Sequence, residues 1–110
     1  MQAVYIYGIV GFPPEFPCRI QGLGGNPVRL LPQGDVAAVV SPSPISPWPF
    51  DEAHLTLHGI VVEEVMRSRP ILPVRFNTVL RAEEAVTALL TARAQVFRSA
   101  LAREAGRGEM

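Results

Sequence analysis

Apolar and polar positions change rhythm several times along the chain. Ala3–Val10 reads A-V-Y-I-Y-G-I-V and is apolar at every position but Gly8. Such a β-branched and aromatic run predicts a strand with two apolar faces, central in a sheet. Gly8 weakens an ordinary strand, so it marks a bulge or the close approach of another backbone. Gly11–Asn26 carries prolines 13, 14 and 17 and glycines 22, 24 and 25, which is loop composition, with a short extended piece at Arg19–Gln21. Val28–Leu31 and Val36–Ser41 flank the turn Pro32-Gln33-Gly34-Asp35 and predict a hairpin. Pro42–Pro49 is half proline, hence a stiff extended connection. Trp48 within it either folds back onto the core or anchors a partner, and the core reading is the stronger.

The period then becomes helical. Over Asp51–Arg69, Leu57, Val61 and Val65 form one row at spacing four, and His58, Val62 and Met66 the adjacent row. Asp51 is placed to cap this helix and Glu52 to favour its positive end, with Arg67 and Arg69 at the other. Gly59 costs about 1 kcal/mol inside a helix relative to Ala, which suggests close packing on the sheet. Pro70 ends the helix. Ile71–Val74 predicts a short buried strand, and Pro73, lacking an amide donor, places it at an edge or keeps it short. Ala82–Ala105 predicts a second amphipathic helix, with Val86, Leu89, Leu90, Val96, Phe97, Ala100 and Leu101 on its apolar side. Arg81 falls at its N-cap, a poor capping residue, and Gly106 at C′. The order β-β-β-α-β-α gives an α+β fold: a small mixed sheet with two amphipathic helices on one face, and the last strand beside the first. Length suits a single domain over residues 1–110.

Composition narrows the partners. Ten arginines balance ten acids and lysine is absent, so the formal net charge is zero. That argues against nucleic acid, which needs a basic surface. The longest clean apolar run, Val36–Val40, is too short to cross a bilayer, and the N-terminus has no signal-peptide pattern. Cys18 is the only cysteine, which excludes an internal disulfide and a CxxC metal pair and fits a reducing cytosol.

Candidate chemistry is sparse. His54 and His58 share a helix face at metal-ligand spacing, but the HExxH pattern is absent, so they are weak metal candidates, and a satisfied, partly buried histidine is the better reading of His58. The glycines of G-L-G-G-N lack phosphate-loop spacing. Ser41, Ser43 and Ser46 lack a nucleophile elbow, and the paired glutamates 63–64 and 83–84 are adjacent rather than stacked. No catalytic constellation or cofactor site is read. Arg75, where strand becomes loop, is either half of a structural ion pair or a binding residue.

The opening V-Y-I-Y-G-I-V, the strand V-A-A-V-V-S, His58 in the first helix and above all I-L-P-V-R-F-N-T-V-L (Ile71–Leu80) carry a resemblance. In these features the chain resembles the N-terminal domain of the GvpL/GvpF type of gas vesicle accessory proteins. The resemblance implies a modified ferredoxin-like fold and a cytoplasmic, non-enzymatic assembly factor. Its implied partner is the hydrophobic gas vesicle shell protein or another vesicle protein. Three departures stand out: the motif usually has glycine where this chain has Asn77, the capping serine or acid often seen before the second helix is replaced by Arg81, and the C-terminal domain of the family is expected to be absent. Loss of that domain would expose an interface and favour a homo-oligomer. Arg75, Phe76, Asn77 and Trp48 are the expected partner-binding residues. A small-ligand or metal-binding domain, and an interaction domain unrelated to gas vesicles, remain alternatives.

Overall fold

A computed structural model describes residues 3–11 and 20–107. Cys18, Arg19 and the prolines at 13, 14 and 17 lie outside the described residues. Five strands form one antiparallel sheet: β1 (Ala3–Gly11), β2 (Arg29–Gln33), β3 (Val36–Ser43), β4 (Leu72–Pro73) and β5 (Val79–Leu80). The sheet is therefore antiparallel throughout rather than mixed. Its order is β2-β3-β1-β4, with β5 also on β1, so the first strand is central and neighbours the last, as its two apolar faces require. The expected hairpin is β2–β3, closed by Gly34-Asp35 with Gln33 opposite Val36.

The Ile71–Leu80 motif yields two short strands where one was expected. β4 pairs with Gly8 and Ile9, and β5 with Val4 and Tyr5. Between them the chain leaves the edge of the sheet and returns, tied at each side by Val74 N–H to the Tyr7 carbonyl and Ile6 N–H to the Thr78 carbonyl. Pro73 has no amide to extend pairing, which keeps β4 to two residues.

Both readings of Gly8 hold. Register slips between Ile6 (opposite Val40) and Gly8 (opposite Val39), so Tyr7 is the extra residue of a bulge. A Cβ on Gly8 would lie 2.8 Å from the Leu72 carbonyl oxygen and 2.6 Å from Ile71 Cδ1. The bulge also reverses the alternation of β1. Tyr5, Tyr7 and Val10 share one core, while Val4, Ile6 and Ile9 share the other.

Those two cores correct the expected placement of helices on one face. Helix α1 (Glu52–Met66) buries Val61, Val65 and most of Val62 against Tyr5, Tyr7, Ala37 and Val39. Val86, Leu90 and Leu101 cover Ile6, Ile9, Ala38 and Val40 on the opposite face. The physical reason is that β1 and β3 are apolar on both sides, and each face needs its own cover at about 1.5–3 kcal/mol per buried aliphatic side chain. The predicted second helix is two: α2 (Glu83–Ala92) and α3 (Ala94–Arg107), broken at Arg93, with φ −117° and ψ 17°. Hydrogen bonding runs across the break, Arg93 N–H to Leu89 and Phe97 N–H to Arg93, so this is a kink rather than a loop. No proline or glycine marks it. Ala82, not Arg81, is the N-cap of α2, and Gly106 falls inside α3. Met66 and Val96, expected on apolar stripes, are exposed.

Candidate partner-binding surface

Helix α1 starts where expected. Asp51 accepts from the His54 backbone N–H at 2.9 Å, and His54 Nδ1 donates to the same carboxylate oxygen at 2.6 Å. These bonds hold the Asp51 carboxyl below its usual pKa, the backbone amide contributing most. Phe50 stands just before the cap, where an apolar residue commonly packs on the first turn of the helix. Here it is 80% exposed, and its ring meets the edge of Phe76 at a centroid separation of 6.1 Å.

Phe76 sits on the loop between β4 and β5. Its ring also faces His58 at 6.0 Å and Tyr5 at 6.4 Å, both edge-on. The following residue, Asn77, has φ +71°, the only described non-glycine residue with a positive value. Asparagine tolerates this backbone because its short polar side chain bonds locally. In this chain the side chain also reaches across to the proline-rich connection. Asn77 Oδ1 accepts from Trp48 N–H at 2.7 Å, and Asn77 Nδ2 donates to the Trp48 carbonyl at 3.0 Å. Glycine could hold the backbone but not make this clamp.

Trp48 is folded back, half-buried against the α1-side core, with Nε1–H donating to Ser43 Oγ at 3.0 Å. Ser43 in turn donates to the Pro44 carbonyl. Ser41 pairs with Tyr7 OH at 2.8 Å, and Tyr7 OH accepts from Leu23 N–H at 3.0 Å. The glycine loop thus has a structural use. A Cβ on Gly22 would stand 2.0 Å from Tyr7 OH, so only glycine lets the loop reach that hydroxyl.

His58 ties the site together. The Val74 carbonyl can only accept, so His58 Nε2 carries the proton it donates there, at 3.1 Å. Nδ1 is then a lone pair and accepts the Tyr5 hydroxyl proton at 2.8 Å. Tyr5 oxygen accepts the Asn77 backbone N–H at 3.0 Å. Burial pushes the His58 pKa down, partly offset by the Val74 bond, and burial pushes Tyr5 up to about 12. His58 therefore has no free lone pair for a metal, and His54 Nδ1 is held by Asp51. Among the described residues no group of three or more His, Cys, Asp or Glu side chains could hold a metal ion.

The four expected partner-binding residues are thus brought together around one loop. Arg75 is exposed, and among the described residues no carboxylate pairs with it, so the ion-pair reading has no partner here. Two residues of the cluster escaped sequence reading. The only sequence signal for Phe50 is its place before the cap, and Tyr5 reads only as part of a central strand. Gly59 does not pack on the sheet. A Cβ there would meet nothing within 4 Å, and the residue instead lines an open groove with Thr56, His58, Ile60, Val62, Glu63 and Pro73.

The profile of gas vesicle synthesis proteins GvpL/GvpF matches residues 3–110. The chain belongs to the GvpL/GvpF family. Gas vesicle protein F of Streptomyces sp. (strain CB03234) is 34% identical over 98 residues, covering 86% of this chain and 41% of that protein. The crystal structure of GvpF from Anabaena sp. PCC7120 superposes with a TM-score of 0.81 at 25% identity, over 94% of this chain and 43% of that one. GvpF from Microcystis aeruginosa gives 0.80 at 27% identity, over 92% and 43%. This GvpL/GvpF chain thus spans about two fifths of the length of the relatives it matches. The α+β class expected from the sequence is the class of these GvpF structures. No helix among its described residues is long and apolar enough to cross a membrane.

Proposed function

We propose that this chain is a non-enzymatic gas vesicle accessory protein, acting in the cytoplasm. It binds the hydrophobic shell protein, or another vesicle protein, through the surface formed by Trp48, Phe50, Arg75, Phe76 and Asn77. The observation that carries the reading is Phe50, 80% exposed, stacked edge-on against Phe76, whose neighbour Arg75 is exposed with no carboxylate partner among the described residues. An aromatic ring left in water is worth about 1.5–3 kcal/mol when a partner covers it, and aromatic and arginine side chains dominate binding energy at interfaces. The Asn77–Trp48 clamp holds both edges of this surface in place before a partner arrives, which reduces the ordering cost of binding. The polar side chains around it have their donors and acceptors committed to one another, which favours a positioning role over chemistry. A homo-oligomer through the same apolar surface is compatible with this reading.

The test is capture of co-expressed gas vesicle shell protein by the tagged chain, with Phe50→Ser and Arg75→Ala variants checked for folding by circular dichroism. Capture that falls at least tenfold in both folded variants is expected. Undiminished capture by both would refute this location for the site, and no capture by the folded wild type would refute the shell protein as partner.

A further inference from the structure

His58 sits at the junction of three elements. Its own helix, α1, faces the sheet here; Tyr5 comes from the central strand; and the Val74 carbonyl opens the loop that carries Arg75, Phe76 and Asn77. With the imidazole neutral, every proton in this chain of bonds has a matched acceptor. Nε2–H goes to Val74 O, the Tyr5 O–H goes to Nδ1, and the Asn77 N–H goes to the Tyr5 oxygen. A second proton on His58 breaks the match. Nδ1–H must then take the Tyr5 oxygen as its acceptor, in competition with the Asn77 N–H, and the Tyr5 hydroxyl proton loses its acceptor. Among the described residues Tyr5 OH has no other hydrogen-bond partner than His58 and Asn77. A buried polar group left without its partner costs about 1–3 kcal/mol, and the cheapest relief is for the loop to move away.

We propose that His58 is a proton-operated latch on the Val74–Thr78 loop: neutral, it locks the loop against β1 and α1, and acid releases it. The surroundings of the ring favour this behaviour. From β1 it faces Tyr5 and Tyr7, the latter at 5.6 Å between ring centroids, both phenols that stay neutral because burial raises their pKa values. From the loop it faces Phe76 and the Val74 carbonyl, with Arg75 exposed. From β4 comes Pro73, and along α1 come Glu63, on the rim of the same groove, and His54, which is bonded to Asp51. The hydrogen bonds recorded for the imidazole are to a phenol and a backbone carbonyl, neither of which carries the charge needed to hold an imidazolium in place. The bearing of the latch on partner capture rests on the function proposed above. Release would unseat Asn77 and with it the clamp on Trp48, so the aromatic surface would be ordered only while His58 is neutral.

The latch is tested on the isolated protein, with no partner present, so its failure is distinct from failure of the binding assignment. Nitrogen NMR of the His58 ring near neutral pH should show the Nε2–H tautomer. Hydrogen exchange of the Asn77 amide, corrected for its intrinsic pH dependence, should lose about tenfold protection between about pH 7.5 and about pH 5. In His58→Gln, which stays neutral, protection should not change over that range, while His54→Gln should behave as wild type. The Nδ1–H tautomer in wild type, or unchanged Asn77 protection at the acid end, would overturn the proposal. So would an equal loss in a folded His58→Gln variant. Should His58→Gln not fold, the wild-type tautomer and exchange data decide alone.

Discussion

Asn77 and Trp48 hold each other by two hydrogen bonds: Trp48 N–H to Asn77 Oδ1 at 2.7 Å, and Asn77 Nδ2 to the Trp48 carbonyl at 3.0 Å. One side chain thereby pairs with a backbone 29 residues away, as a neighbouring strand would. It fastens the proline-rich connection to the loop between β4 and β5. The same residue satisfies Tyr5 through its backbone N–H. Asn77→Gly keeps the backbone conformation but removes the clamp, so it should destabilise by about 1–3 kcal/mol, two neutral hydrogen bonds at roughly half to one and a half each. Asn77→Ala loses the clamp and adds strain at φ +71°, so its urea midpoint should fall below that of the glycine variant. Equal midpoints for wild type and glycine would mean that the clamp carries no net stability.

Gly8 and Gly59 should respond in opposite directions. A Cβ at Gly8 meets the Leu72 carbonyl oxygen and the Ile71 side chain inside van der Waals contact, and the carbonyl cannot yield without breaking the β1–β4 pairing. Gly8→Ala should therefore cost about 1–3 kcal/mol or more. Gly59 lies inside α1 facing open space, so Gly59→Ala should stabilise by about 0.5–1 kcal/mol through helix propensity and a less flexible unfolded chain. Thermal melts of both variants against wild type check the signs.

Stability should fall at both ends of the pH scale. Folding lowers the His58 pKa below 6.5, so the proton prefers the unfolded chain. The stabilising term is complete above pH 6.5 and is lost as the pH falls through 6.5 toward the folded value. Tyr5 runs the other way: folding raises its pKa from 10.0 to about 12, so its term is complete below pH 10 and lost as the pH rises toward 12. Urea titrations from about pH 8 down to about pH 5 should show the acid limb, and His58→Gln should flatten it. An unchanged acid limb in that variant would assign it to another group.

The fold was largely written in the apolar pattern, and its misreadings have physical causes. Strand β1, the β2–β3 hairpin, the Asp51 cap and the edge position of Pro73 all follow from local rules about branching, turns and missing donors. The double apolar face of β1 and β3 also implied a helix layer on each side, which the reading of two helices on one face did not follow through. The kink at Arg93 left no mark, because a one-residue kink that keeps its hydrogen bonds needs neither proline nor glycine. At the site, Arg75, Phe76, Asn77 and Trp48 were visible as residues, but not what joins them. The clamp and the Tyr5–His58 link connect positions 29 and 53 residues apart, and no periodicity reports such contacts. Phe50 was missed because a phenylalanine before a helix cap is ordinarily a packing residue.

The most direct measurement is a hydrogen-exchange footprint of the chain with and without bound gas vesicle shell protein. New protection should be confined to Trp48–Leu55 and Arg75–Thr78, with α2 and α3 on the far side of the sheet unchanged. Protection concentrated on α2, α3 or the β2 edge, with the Phe50 and Phe76 segments unaffected, would contradict it.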